Sequence, residues 1–322
     1  MPLPSGSGTV LRIIKLIGEW HMNIMGLLNA MPGAVAQGMI WGIMAIGVYI
    51  TFKILDLADL TVDGSMVTGM AVCAMLMAGG CNVWVAMLVA TIAGMLAGLL
   101  TGIFHTIMGI PAILAGILTQ LILWSVNLKI MGKANQALPA RTFDVIITQL
   151  RREEALLVLL GFCIVLIIIL YAFFGTQFGA SIRATGCNEK MARAQGINTD
   201  FNKVIGFVLS NGIVALSGAL LAQYSGKADI NDGRGAIVIG LAAVIIGEAV
   251  VSKLPTNFIV RLLGVVIGGI IYYIVYQTVI FLGLDTDLLK MLSAVVVAIF
   301  LAIPHLKKTY FSKPAKKSKE VR

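Results

Sequence analysis

The chain has 322 residues, 59% of them hydrophobic and only 12% charged, with a formal net charge of +9, and its mean hydropathy is +0.96. Such proportions lie far from those of soluble domains and exclude a water-soluble protein as the overall class. Runs of about 20 apolar residues, enough to cross a bilayer core of about 30 Å, recur with short polar interruptions. The expected fold is all-α, a polytopic transmembrane helical bundle forming a single domain over 1–322.

In chain order, Met1–Thr9 shows no charge cluster, so no cleaved secretory signal is expected. Leu11–Leu28 carries Arg12, Lys15, Glu19 and His21, a mixture that predicts an interfacial helix over 10–30 rather than a span. Spans are predicted over Ala34–Phe52, Ser65–Gly79, Val83–His105, Ile110–Leu128, Ala155–Phe174, Val204–Tyr224, Ala236–Val251, Phe258–Phe281 and Leu288–His305. These make about nine, within a range of eight to ten. The tail 306–322 gathers seven Lys or Arg side chains from Lys307 to Arg322 against Glu320, which assigns the C-terminus to the cytoplasm and offers an attractive surface to anionic lipid. Counting spans back from there puts the loop 175–203 inside and the connections Lys129–Glu154 and Ser225–Arg234 outside. Lys129, Lys133, Arg141, Arg151 and Arg152 weigh against the outside assignment of the first connection.

Few residues look chemical. Cys73, Cys81, Cys163 and Cys187 have no CxxC spacing and suit neither a disulfide framework nor a metal site. His21, His105 and His305 lie near span ends, and no phosphate-binding loop, metalloprotease, hydrolase or dinucleotide signature occurs in a workable context. No catalytic residue, resident cofactor or nucleic-acid partner is expected.

The segment FKILDLADLTVDGS is the unusual one. Asp56, Asp59 and Asp63 recur at i, i+3 and i+7 between two apolar runs and would share one face of a helix. Acids at membrane depth, costing about 2.5–3.5 kcal/mol each on insertion scales, are tolerated beside water, a partner or a ligand, so these three with Thr61 are candidates for a pathway or gate. The alternative is a solvated loop in which Asp59 or Asp63 caps the next helix. Gly94, Gly98 and Gly102 form a small-xxx-small ladder, repeated more briefly by Gly264 and Gly268, which predicts close helix packing. Pro111 would begin or break the helix starting near Ile110. In the loop GASIRATGCNEKMARAQGINTDFNK, the stretch Asn188–Gln195 reads as a short helix, with Asn188 as N-cap and Gly196 as its terminal glycine.

Here the residues reach a resemblance. The run RATGCNEKMARAQGIN is similar to the loop R-A-x-x-x-N/D-x-x-x-A-x-x-x-G-I-N of ABC importer permeases of the branched-chain amino acid and ribose type. GVYITFKILDLADLTVDGSMVTGMAV resembles that family's early span and acidic turn, and LADLTVDGS is most similar to its tryptophan and tyrosine uptake-like subgroup. GLAAVIIGEAV, followed by the Gly264–Gly268 span, resembles its alanine-rich penultimate region, with Glu248 where many relatives have glycine. The similarity runs from about Gly38 to Pro304.

The resemblance implies a permease subunit carrying a small polar solute such as an amino acid. It further implies a second permease copy, an external substrate-binding protein, and an ATP-binding subunit holding ATP and magnesium. It makes Arg183, Ala184, Asn188, Ala192, Arg193, Gly196 and Ile197 the residues that couple to that ATPase. On the residues alone, a secondary transporter or channel working without an ATPase stays open.

Overall fold

The computed structural model describes residues 7–138, 145–252 and 257–281, with isolated positions 291, 294, 295, 298 and 302 beyond them. Helix α1 spans Ser7–Tyr49 and passes into a π-helical turn over Ile50–Ile54. There follow α2 (Val62–Ala78), α3 (Val83–Thr106), α4 (Ala112–Met131), α5 (Arg152–Gly175), α6 (Gln177–Cys187), α7 (Glu189–Ala194), α8 (Thr199–Ser225), α9 (Ala236–Val251) and α10 (Phe258–Phe281). Two three-residue strands, β1 (Asn135–Ala137) and β2 (Lys227–Asp229), pair antiparallel with Gln136 opposite Ala228.

Local chemistry sets the boundaries. Asn82 caps α3 by accepting the Trp84 amide, Pro111 stands immediately before α4, and Asn198 caps α8 by accepting the Phe201 amide. Residues 10–30, expected as a separate interfacial helix, belong by backbone to the same continuous helix as the first span.

Among the described residues, six helices are long and apolar enough to cross a membrane: Leu28–Ile54, Val83–Thr106, Ala112–Met131, Arg152–Gly175, Thr199–Ser225 and Phe258–Phe281. Two more of the nine expected spans are present as the shorter apolar helices α2 and α9. The ninth, Leu288–His305, falls mostly outside the described residues, as does the whole basic tail 306–322 with the cytoplasmic assignment it carried.

Burial divides the helices. In the apolar windows of the first span and of α8, 78% and 72% of residues are buried, against 33%, 28% and 22% for α3, α4 and α5. The first two therefore form the centre. The outer three present Leu88, Leu96, Leu121, Leu157, Val165 and Ile168 outward, as helices facing lipid do. Helix α8 packs against α3 and α2, and α10 packs against α1 and α9.

The glycine ladder faces the first of these contacts. A Cβ on Gly94 would come 2.5 Å from the Asn211 carbonyl oxygen, one on Gly98 would collide with the Phe207 carbonyl, and one on Gly102 would sit 3.1 Å from Val204 Cα. The α3 and α8 backbones are thus nearly in contact along three turns. Gly268 meets the Ala243 carbonyl of α9, and Gly264 faces Gly247 and Val251. The β1–β2 ribbon joins the connections 129–154 and 225–234, so both lie on one side of the protein, as the span count required despite the basic residues of the first.

Candidate functional site

Helix α1 loses its regular bonding at Ile50, where the five-residue π turn begins, and Leu55 N–H still donates to the Ile50 carbonyl. Asp56 then takes φ +56°, a left-handed conformation that side-chain residues adopt sparingly. The chain runs non-helically to Thr61 before α2 starts. The expectation that Asp56, Asp59 and Asp63 share a helix face is therefore corrected. The π turn and the left-handed residue end the helix before the first acid, so the 3.6-residue period does not apply across the three.

Each acid meets different surroundings. Asp56 is exposed. Asp59 is 2% exposed; its Oδ1 accepts the Thr61 amide at 2.9 Å, and its Oδ2 accepts Asn211 Nδ2 at 2.8 Å. Asn211 lies half-way along α8, so this carboxyl sits at the middle of the bundle. Asp63, in the first turn of α2, does not cap its own helix but another: its oxygens accept the Gly235 and Ile237 amides at 2.9 Å each, at the start of α9. Carboxyl oxygens suit the unsatisfied amides and positive dipole end of a helix N-terminus.

The two short helices α2 and α9 consequently begin face to face inside the protein. Short helices whose first turns meet in the interior are an arrangement in which transporters bring backbone polar groups to membrane depth. Around this junction is a buried polar cluster of which the sequence reading had singled out Thr61 alone. Thr61 and Thr101 hydroxyls lie 2.7 Å apart, Thr101 donates to Thr119 at 3.0 Å, and Ser65 donates to Asn211 Oδ1 at 2.6 Å. All five residues are buried. An asparagine in the middle of an apolar span was the available signal; Thr101 and Thr119 gave none, since each hydroxyl also lies within reach of its own helix backbone.

The second element is α6–α7. Asn188 caps α7 by accepting the Met191 amide at 3.0 Å, and Gly196 closes it at φ +78°, a conformation that costs glycine no Cβ clash. Residues 177–187, which carry Arg183 and Ala184, form a helix of their own, where only 188–195 was expected to be helical. Arg193 holds the turn together: its Nη2 donates to Glu189 and Asp200 at 2.9 and 2.8 Å, and its Nε to Thr199 at 2.6 Å. Lys203 reaches Glu189 at 2.7 Å, and this hydrogen bond holds the Glu189 carboxyl below its usual range. Ala192 is buried, Ile197 is half-buried and donates its amide to the Ala192 carbonyl, and Arg183, Ala184, Asn188, Arg193 and Gly196 are exposed. Met191 and Phe201 add outward-facing apolar area that the sequence reading did not single out.

The two elements touch. A Cβ on Gly186 of α6 would strike the Ile54 carbonyl and lie 2.8 Å from Leu55 Cα, while Gly206 of α8 packs on the Leu55 side chain. Lys53, one residue before, donates to Glu248 near the end of α9 at 2.9 Å. That contact gives a partner to the glutamate that departed from the family pattern.

A bundle of apolar helices with two short helices meeting at a buried polar centre, and a capped polar lever against the break, defines a membrane transport permease. Comparison with known proteins agrees. The chain belongs to the family of permease components of branched-chain amino acid transport systems, whose model matches residues 31–303. It is 36% identical over 279 residues to the tyrosine transport system permease protein of Clostridioides difficile, covering 87% of this chain and 92% of that one. An uncharacterised protein of Rickettsia prowazekii is 32% identical over 278 residues, covering 85% and 98%. The autoinducer 2 import system permease protein LsrC of Escherichia coli is 32% identical over 204 residues, covering 59% and 56%. No solved structure matches the chain significantly. The protein is a permease subunit of an ABC-type importer, a multi-pass protein of the bacterial cell membrane, and not itself an enzyme.

Proposed function

We propose that this chain forms the translocation path for an amino acid or a related small polar solute, and that ATP hydrolysis on a separate subunit drives it through the α6–α7 lever. The partners on this reading are an ATP-binding subunit, which carries ATP and magnesium, an external substrate-binding protein, and a second copy of the permease. The observation that carries the reading is the contact of α6 with Ile54–Leu55. A push on the lever reaches the residues that open the broken segment leading to Asp59 and Asp63. The relative from Clostridioides difficile, a tyrosine transport permease, supports an amino acid as the solute.

In this scheme Arg183, Ala184, Asn188 and Gly196 lie on the face offered to the ATPase. Arg193, Ala192 and Ile197 keep that face in shape through the bonds described above. Asp56, Asp59, Thr61 and Asp63 belong to the gate. The test is a mild-detergent pull-down of the chain expressed beside its native neighbours, comparing wild type with a variant carrying Arg193→Glu and Gly196→Pro. Wild type is expected to retain an ATPase that the variant loses. Absence of an ATPase from the wild-type preparation would overturn the reading.

A further inference from the structure

A polar pocket of about 150 Å³ lies where the first span, α5, α8 and α10 come together. Arg152 is the first residue of α5, Tyr224 the last but one of α8, and Gln277 stands one turn from the end of α10. All three are span ends on the side of the β1–β2 ribbon, opposite the lever, so the pocket lies at headgroup depth in that leaflet. Three carboxamides line it, Gln37 from α1, Gln149 from the connection before α5, and Gln277. None of the three makes a side-chain hydrogen bond among the described residues. Arg152 supplies a cation. Its Nη1 donates to the Asn29 carbonyl at 3.0 Å, and among the described residues no carboxylate pairs with it, whereas the adjacent Arg151 is paired with Glu154. Nε and Nη2 are left for an anion. Among the described residues no acidic side chain lines the pocket. The hydroxyl of buried Tyr224 donates to the Gly33 carbonyl at 3.3 Å and can still accept. A basic residue at this end of a span also runs against the usual charge bias of membrane proteins, and a bound anion would account for it.

The chemistry of the lining narrows the ligand. A guanidinium fork fits a phosphate oxygen pair. Carboxamides both donate and accept, which suits hydroxyl groups. With no acid in the wall, an ammonium would find no partner and would face the Arg152 charge. The volume is below the roughly 300–1,000 Å³ of drug-sized ligand sites, so a headgroup fits and the rest of a lipid stays outside. On α5 the i, i+4 row that starts at Arg152 continues through Leu156 to Leu160 and Ile164, the last two facing outward as an apolar track for acyl chains. We propose that this pocket binds the phosphodiester of a glycerophospholipid whose remaining headgroup is hydroxylated and uncharged, phosphatidylglycerol being the simplest, in the leaflet opposite the lever. The bound lipid bridges α5 to α1 and α10. Because α6 begins two residues after α5 ends, it steadies the helix from which the lever hangs.

Native mass spectrometry of the full-length chain in a mild detergent counts retained lipids one by one and needs neither ATPase nor solute. With phosphatidylglycerol and phosphatidylethanolamine of the same acyl chains offered in equal amounts, the first adduct is expected to favour phosphatidylglycerol at least roughly threefold. Arg152→Gln should weaken that adduct at least roughly tenfold, while Arg151→Gln, one residue outside the pocket, should leave it unchanged. Gln37→Leu together with Gln277→Leu should reduce the preference between the two headgroups. If Arg152→Gln does not fold, the headgroup preference of wild type and its response to the glutamine changes decide. Inorganic phosphate and sn-glycerol 3-phosphate in excess should not displace the lipid, since neither uses the track along α5. Displacement by either identifies a site for a free anion and overturns the lipid assignment. Equal retention of the two headgroups, a preference unmoved by the glutamine changes, or the same loss in Arg151→Gln as in Arg152→Gln would each overturn the site.

Discussion

Exchanging the two members of the central pair, Asp59 and Asn211, tests whether the broken segment is held by the contact that the structure shows. In Asp59→Asn the Thr61 amide keeps its acceptor, but the new amide nitrogen faces Asn211 Nδ2 across the 2.8 Å gap, donor against donor. Rotating Asn211 relieves that clash only by turning its nitrogen towards Ser65, which now donates to it, and by giving up the 3.0 Å bond to the Phe207 carbonyl. One displaced buried bond costs about 1–3 kcal/mol. Asn211→Asp alone sets two carboxyl groups at hydrogen-bond distance, which only a shared proton relieves, and should cost at least as much. The double exchange restores a carboxyl opposite an amide at the same separation. It should recover part of the loss, the Phe207 carbonyl still lacking its donor, giving a coupling of about 1–2 kcal/mol within the range seen for contacting residues. Thermal unfolding of the four proteins in one detergent, followed by intrinsic tryptophan fluorescence, closes the cycle. A double variant no better than the sum of the singles would refute the pairing, and with it the placement of the break at mid-bundle.

Three further outcomes follow from the geometry. Gly98→Val drives its Cβ into the Phe207 carbonyl and to 3.0 Å from Asn211 Cβ, with two branches still to place; overpacking of this kind costs about 1–3 kcal/mol or more, so the monodisperse peak in fluorescence-detected size exclusion should shrink, while the same change at Gly161, which faces open space, should not affect it. Asp63→Ala strips the α9 N-terminus of both its acceptors and should cost about 0.5–2 kcal/mol, seen as faster hydrogen exchange at residues 235–238 than elsewhere in α9. Because Lys203 holds the Glu189 carboxyl low, that group stabilises the lever above the ordinary carboxyl range and the contribution is lost as pH falls through its lowered value. Exchange over residues 188–203, corrected for intrinsic rate, should therefore stay slow to a lower pH in wild type than in Lys203→Met.

Much of the lever was legible because capping is local. Asn188 and Gly196 bracket a six-residue helix, and their effect on the backbone depends on neighbours three residues away. The Gly94–Gly98–Gly102 ladder likewise announced a close approach, although nothing in α3 could say that the partner would be α8. The acidic segment misled for the opposite reason. A helical period was extended through Asp56, where the backbone turns left-handed, and neither the π turn nor the left-handed residue leaves a mark on hydrophobic spacing.

The sequence by itself determined the solvent of this protein, the position of most helices and the short polar lever between α5 and α8, since apolar run length, small-residue ladders and caps act within a few turns. The tertiary structure alone decided that α2 and α9 meet through Asp63. It also decided that Asp59 is answered by an amide 152 residues later, and that Arg152 and three glutamines wall one pocket with Tyr224. The physical reason is that a buried polar or aromatic group is indifferent to where in the chain its partner comes from. Only packing, which brings distant helices within a few ångströms of each other, chooses it.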